Sequence, residues 1–148
     1  MNRIVVADRL SEAQLNDVLN LEKLVFNKPY KKDDIVNDRL AKFFLLYIDE
    51  ELVSYIYYSG VEDFIELYRI ATHVNHQKKG HAKRLFLSSL HSLTSFNRII
   101  LEVNCFNSAA IALYESLGFR KYYIRRNYYE NGDDAILMEK ILKSGSEE

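Results

Sequence analysis

The sequence lacks paired cysteines and long apolar runs. Its 148 residues include one cysteine, one proline and no tryptophan. A single cysteine, Cys105, excludes an internal disulfide framework and fits a reducing compartment. The longest unbroken apolar run covers residues 43–48, far short of the roughly 20 residues that a membrane-spanning helix needs. We therefore expect a soluble protein with no membrane partner.

The sequence also lacks an excess of charge of either sign. Lys and Arg number 20 against 21 Asp and Glu, which gives a formal net charge of −1. Non-specific nucleic-acid binding rests on many uncompensated Lys and Arg, so direct nucleic-acid binding is not expected. Asp8 interrupts the short apolar run at residues 4–7, which leaves no core for a secretory signal. These features predict a cytoplasmic protein, and a monomer is the default expectation.

Length and a hydrophobic content of 48% suit one domain, which we expect at residues 1–143 with a disordered tail at 144–148. Periodicity and turn residues predict strands, helices and their order. Strands are predicted at residues 3–7, at 98–103, at 119–125, at 135–141 and as an antiparallel meander of three within 43–73. Helices are predicted at residues 11–26, at 32–40, after residue 80 and at 107–117. Ser11 and Gln14 fit the capping box that opens the first of them. A mixed sheet covered by helices is the expected packing.

A basic turn joins the third strand of the meander to the next helix. The turn and the first residues after it are Gln77, Lys78, Lys79, Gly80, His81, Ala82 and Lys83. Amides at a helix start favour anions, and glycine lets a ligand approach the backbone closely. The turn matches neither the dinucleotide fingerprint nor the Walker loop. It predicts a phosphate or pyrophosphate site, with a solvated basic turn as the alternative.

Three polar residues mark the following strand and helix. Asn107 is a good helix N-cap, and Tyr114 stands about two turns later on nearly the same helix face. Glu102 interrupts an otherwise apolar strand, and burial of an unpartnered carboxylate is costly. We expect Glu102 and Tyr114 to share a cleft. The alternatives are a sheet-edge Glu102 that faces water and an ordinary helix end capped by Gly118.

These motifs resemble those of the GNAT superfamily of N-acetyltransferases. The segment from Gln77 to Ala82 is similar to its Gln/Arg-x-x-Gly-x-Gly/Ala acyl-CoA motif, and the segment from Asn107 to Phe119 to its Asn-to-Leu-Gly-Phe motif. The resemblance implies an α/β GNAT fold with a central mixed, mostly antiparallel sheet of about seven strands flanked by about four helices.

Within the superfamily, the sequence is most similar to the RimI type, the ribosomal-protein alanine N-acetyltransferases. This similarity rests on residues 101–103, 107–119, 124–129 and 134–138. It implies an enzyme that moves acetyl from acetyl-CoA to an N-terminal alanine, that of the eighteenth protein of the small ribosomal subunit. The alternatives are a lysine or small-molecule amine as acceptor, or a non-catalytic acyl-CoA-binding module.

The resemblance also assigns residues to the cofactor and to the reaction, with no metal. The pantetheine arm of acetyl-CoA would bond to the backbone of one strand, its pyrophosphate would meet the amides of the basic turn, and a helix N-cap would support it. The residues implied are Ile70, Ala71, Thr72, Gln77, Lys78, Lys79, Gly80, His81, Ala82, Lys83 and Asn107.

The same resemblance makes Glu102 the general base, directly or through water, and Tyr114 the general acid toward the leaving thiolate. Tyr128 and Tyr129 are the substrate-side candidates, and nearby acidic residues at 130, 133 and 134 either attract a basic peptide or solvate a turn. Direct transfer is expected, and an acetylated Cys105 is the rival mechanism.

Overall fold

The order of helices and strands follows the periodicity of the sequence. The computed structural model describes residues 1–60 and 62–142, and all elements below lie within them. The strands are β1 (Asn2–Ala7), β2 (Ala41–Ile48), β3 (Glu51–Ser59), β4 (Phe64–Thr72), β5 (Arg98–Asn104), β6 (Arg120–Arg125) and β7 (Ala135–Ile141). The helices are α1 (Glu12–Val25), α2 (Lys32–Val36), α3 (His81–Ser89) and α4 (Ser108–Ser116). The predicted disordered tail lies outside the described residues.

The seven strands among these residues form one sheet in the order β1-β2-β3-β4-β5-β7-β6. The pairs β1 with β2, β2 with β3, β5 with β7 and β6 with β7 are antiparallel. Strands β4 and β5 are parallel, with residues 64–66 opposite residues 98–100. The prediction of a mixed, mostly antiparallel sheet with about seven strands and four helices is confirmed.

The chain divides into two compact units. The first unit contains residues 1–60 and 67–93, and the second contains the described parts of 61–66 and 94–148. In the first unit, β2 is buried on both faces, which explains its unbroken apolar run. Phe43 belongs to a cluster with Leu15 and Ile35 of the first two helices. Phe44 packs edge-to-face on Tyr58, with ring centroids 5.7 Å apart.

The ends of the first two helices show one prediction confirmed and one wrong. Ser11 and Gln14 form the expected capping box at the start of α1. Helix α2 ends at Val36, not at residue 40. Asp38 stops it, because its carboxylate accepts the Leu40 amide at 2.9 Å and the Tyr57 hydroxyl at 2.6 Å, contacts that compete with further helix.

In the second unit, β5 alternates between buried and half-exposed residues. Ile99, Leu101 and Val103 are buried, whereas Glu102 is half-exposed. Only one face of β5 is therefore buried. Glu102 does not interrupt the buried face. It lies opposite Leu137 in the register between β5 and β7.

Candidate active site

The basic turn ends at Gly80, the residue before α3, and part of its backbone is left-handed. The φ angle is 81° at Gly80 and 64° at Lys78. A Cβ at Gly80 would meet nothing within 4 Å, so the backbone angle rather than crowding favours glycine. Among the residues that the structure describes, no side chain caps α3, and the amides of its first turn are therefore suited to bind an anion.

Lysines supply the positive charge of this turn. Lys78, Lys79 and Lys83 are exposed. Burial, followed by Arg84, His76 and Lys79, lowers the pKa of His81 below its usual value of 6.5. His81 is thus neutral near pH 7. Free amides, an open glycine and three lysines fit the pyrophosphate of a coenzyme A thioester.

The end of β4 is tied to its neighbours by side chains. The Ser54 hydroxyl donates to the Ala71 carbonyl at 2.8 Å, and the Gln77 side-chain amide donates to the Thr72 carbonyl at 3.1 Å. Gln77 therefore bonds back to the strand and supports the turn. The roles of Ile70, Ala71 and Thr72 toward the pantetheine arm stay predictions.

The histidines that precede the turn contact a carboxylate. The Nε2 atoms of His76 and His73 lie 3.3 and 3.7 Å from the carboxylate oxygens of Glu51. Both histidines therefore lie within ion-pair distance of the same carboxylate. Among the described residues, no group of three or more His, Cys, Asp or Glu is arranged to hold a metal ion.

In the second unit, the carboxylate of Glu102 has two partners. The Tyr129 hydroxyl donates to Oε2 at 3.1 Å, and Arg125 Nη1 lies 3.7 Å from Oε1. The Glu102 side chain is 27% exposed, so part of the carboxylate faces solvent. A carboxylate has about four acceptor sites, and these contacts leave capacity for a proton or a further donor.

Tyr129 is held as a neutral donor by the same contact. Burial, followed by the charge of Glu102 and the hydrogen bond to it, raises the pKa of Tyr129. The sequence predicts Tyr129 on the substrate side but gives no link to Glu102. Tyr128 is 47% exposed and its ring meets that of Tyr129 edge-to-face at 5.2 Å. Substrate contact by either residue stays a prediction.

The acidic residues of the loop at 126–134 stabilise the loop itself. The Asp133 carboxylate accepts side-chain amides of Asn104 and Asn131, both at 3.0 Å. Asp134 accepts the Asn127 amide at 2.9 Å. The two alternatives for Asp133 and Asp134, attraction of a basic peptide and solvation of a turn, stay predictions. The Asn131-Gly132 turn is present within this longer connection.

The ends of α4 place Asn107 and Tyr114. The Asn107 side-chain oxygen accepts the Ala110 amide at 3.1 Å, which confirms the predicted N-cap. At the other end, Gly118 has a φ of 96° and the Phe119 amide donates to the Tyr114 carbonyl at 3.0 Å. This is a Schellman ending, and the Tyr114 and Phe119 rings make its hydrophobic contact with centroids 5.9 Å apart. The shared cleft of Tyr114 and Glu102 stays a prediction.

Two charged residues near Glu102 were missed as functional candidates. Arg125 was noted only as part of a family motif, and Glu66 was not considered at all. Burial, followed by the charge of Glu102, raises the pKa of Glu66, whereas Arg125 lowers it. The available sequence signal was a second acidic residue that interrupts the apolar strand β4.

The class of this protein follows from its match to a family model. Residues 13–119 match the model of the Acetyltransferase (GNAT) family, and the chain belongs to that family. It is an acetyl-CoA-dependent N-acetyltransferase. Among the described residues, no helix is both long enough and apolar enough to span a membrane.

Named relatives extend this match along the chain. The ribosomal protein bS18-alanine N-acetyltransferase of Salmonella typhimurium is 30% identical over 145 residues, covering 93% of this chain and 96% of that protein. An N-alpha-acetyltransferase of Saccharolobus solfataricus is 35% identical over 115 residues, covering 68% and 69%. The crystal structure of the ribosomal-protein-S18-alanine N-acetyltransferase of Escherichia coli superposes with a TM-score of 0.85 at 29% identity, covering 99% and 97%.

Proposed function

We propose that this chain acetylates the α-amino group of a protein N-terminus, with the N-terminal alanine of ribosomal protein bS18 as the acceptor. One observation carries this proposal. The Salmonella typhimurium relative is named for an alanine acceptor, and the Saccharolobus solfataricus relative is named for an α-amine acceptor. Both names describe acetylation of an amine, and together they favour the α-amine over a lysine side chain.

Glu102 is the general base of the proposed reaction. An α-amine has a reference pKa of about 7.7–8.0, so near neutral pH it is largely protonated and must lose a proton before it attacks a thioester. The half-exposed carboxylate of Glu102, with acceptor capacity beyond Tyr129 and Arg125, supports this role. Glu102 takes the proton directly or through water and releases it to solvent.

Tyr114 is the general acid. A bound acetyl-CoA supplies the thioester carbonyl and the thiolate leaving group. The nitrogen–carbon bond forms as the carbon–sulfur bond breaks, Tyr114 gives its proton to the sulfur, and the second proton lost by the nitrogen restores Tyr114. A tyrosine, with a reference pKa of about 10, is protonated at neutral pH and suits this step. Transfer is direct, without an acetylated Cys105.

The first experiment measures release of coenzyme A with two peptides. One begins Ala-Arg and has a free α-amine, and the other has the same sequence with a blocked α-amine and a free lysine. Turnover with only the free terminus supports the proposal. Turnover with the blocked peptide makes lysine the acceptor and overturns it, as does acetyl-CoA binding without turnover of either peptide.

The acid role is tested with Tyr114→Phe. Removal of the hydroxyl is expected to lower kcat by about 100-fold, the usual contribution of a general acid. The Kd of acetyl-CoA should stay the same within about twofold. Tyr122→Phe, on the exposed face of an edge strand, is the matched control and should keep full activity. Equal kcat for wild type and Tyr114→Phe at every pH would rule the acid role out.

A further inference from the structure

A cavity of about 540 Å³ lies in the first unit, between the start of α1, the end of α2 and the start of β2. Leu15, Ile35 and Phe43 line it and are buried. Leu10 is half-buried and Val36 is 49% exposed, so apolar surface remains open to a ligand. The volume falls within the range of about 300–1,000 Å³ that is typical of small-molecule sites.

Four charged side chains line the same cavity, and only the two acids are paired. The Lys42 ammonium lies 3.4 Å from Asp8, and the Asp38 carboxylate accepts two hydrogen bonds, at 2.9 and 2.6 Å. Arg9 and Arg39 are exposed. Within residues 1–60 and 62–142, neither guanidinium has an ion-pair or hydrogen-bond partner. The open hydrogen-bonding capacity of the cavity is therefore that of two cationic donors.

This distribution of charge selects the class of ligand. Counting Lys42, three cations and two carboxylates surround the cavity, which leaves one net positive charge. A monoanion matches this charge better than a phosphate, which carries about −1.5 to −2. A carboxylate also fits the planar fork of a guanidinium. The rest of the ligand must be apolar, because a polar group buried against the apolar lining would lack a partner.

The cavity lies apart from the strand that we expect to bind the pantetheine arm. Phe43 of the cavity lies opposite Tyr57 in the register between β2 and β3. Ser54, three residues before Tyr57 on β3, donates to the Ala71 carbonyl of β4. Three strand residues span about 10 Å. A ligand in the cavity and the coenzyme would therefore occupy different places in this unit.

We propose that this cavity is a second ligand site, which binds a small aliphatic carboxylate. The aliphatic chain lies against Val36 and the buried floor, and the carboxylate accepts hydrogen bonds from Arg9 and Arg39. The cavity volume is that of a small-molecule site rather than of an extended interface with a partner protein. The site does not depend on which amine the enzyme acetylates.

Octanoate is the probe, added to the whole protein with saturating coenzyme A in the coenzyme site. In methyl NMR spectra, the signals of Leu10, Ile35 and Val36 should shift saturably as octanoate is added. The methyl signals of Leu101 and Leu137, in the second unit, should not move. If the cavity methyls do not shift at about 10 mM octanoate, or if only the others do, the proposal is wrong.

The role of the arginines is tested by changing their charge and that of the ligand. Arg9→Gln and Arg39→Gln should each weaken octanoate binding by about threefold to fivefold, and the double variant by about 10-fold. Both side chains are exposed, so the variants should keep the stability of the wild type. Arg3→Gln, the same change at an exposed arginine outside the cavity, is the matched control and should bind as the wild type does.

The ligand itself is varied in the same titration. Octanamide has the same chain without the charge and should bind at least about 10-fold more weakly than octanoate. Hexanoate should bind about 10-fold more weakly, because two buried methylenes are lost. Equal Kd values for octanoate and octanamide, or an unchanged Kd in the double variant, would overturn the proposal. It would also fail if an amphipathic peptide of leucine and glutamate shifted the cavity methyls and octanoate did not, since the cavity would then bind a protein.

Discussion

Two glutamates, one in each unit of this protein, bind the same kinds of partner in very different surroundings. Glu22 of α1 and Glu102 of β5 each accept a tyrosine hydroxyl and each face an arginine guanidinium. The Glu22 side chain is 0% exposed, whereas that of Glu102 is 27% exposed.

The partners of Glu22 hold both of its oxygens. Arg69 donates from Nε at 3.1 and 3.3 Å and from Nη2 at 3.2 Å, the Tyr30 amide donates at 2.8 Å, and the Tyr55 hydroxyl completes the set. The Arg69 guanidinium also lies 3.9 Å from the centroid of the Phe26 ring and 4.1 Å from that of Tyr30. Such a carboxylate is fully occupied in holding the fold.

Glu102 is held much more loosely. Its contact with Arg125 is 3.7 Å long, and the Arg125 side chain is 47% exposed. The comparison teaches that the same residue types stabilise structure when every acceptor site is filled and remain available for proton transfer when some are open. Burial and the number of donors, not residue identity, make the difference.

The largest expected effect is on the buried member of this comparison. Glu22→Ala leaves the Arg69 charge and the Tyr55 hydroxyl without their acceptor, so the free energy of unfolding should fall by about 3–5 kcal/mol. Urea unfolding followed by circular dichroism measures it, with Glu12→Ala as a control that should change by less than about 0.5 kcal/mol. A loss below about 1 kcal/mol would mean that the network contributes little net stability, because the cost of burying its charges offsets their attraction.

For Glu102, the half-exposed glutamate, we expect the opposite result: a loss of activity with little loss of stability. Glu102→Gln should lower kcat by about 100-fold, with the greatest loss below the pKa of the acceptor amine, where a proton must be removed. The free energy of unfolding should change by less than about 1 kcal/mol, because an exposed ion pair contributes little. Steady-state rates from pH 6 to 9 test the first expectation and urea unfolding tests the second. An unchanged pH profile would remove Glu102 as the base.

The smallest effects come from removing a single hydroxyl on each side. Tyr55→Phe takes a donor from the buried Glu22 and should destabilise the fold by about 1–2 kcal/mol with kcat unchanged. Tyr129→Phe takes the donor from Glu102 and should change kcat by about fivefold, equivalent to about 1 kcal/mol, with stability nearly unchanged. Both variants need the same two measurements. If both lose only stability, the contrast between the two glutamates does not hold.

Local patterns predicted most of the elements. The capping box at Ser11, the N-cap at Asn107 and the glycine ending at Gly118 depend on residues close in sequence, and the structure confirms each of them. The predicted end of α2 was wrong because Asp38 is bound by Tyr57, a residue from a different element. Distant contacts of this kind leave no periodic signal in the sequence.

In the candidate site, too, the features set by neighbouring residues were predicted and the contacts between distant residues were not. The prediction of an anion site at the turn before α3 rests on local residues. Glu102 was singled out because it interrupts an apolar strand, and its role was taken from the family motif. Its partners could not be predicted, because Arg125 and Tyr129 reach it from other elements. Glu66 was missed because it lies beside β5 only through the parallel register of that strand with β4.

By itself, the sequence determined the order of the elements, the position of the basic turn and the family, since each depends on residue types within short windows of chain. Only the tertiary structure decided which acids hold the fold and which remain open to a proton. Strand register and the depth of burial set the partners of a carboxylate, and both arise when residues distant in sequence pack together. In this protein they saturate Glu22 and leave Glu102 half-exposed, with Glu66 on the same face of the sheet.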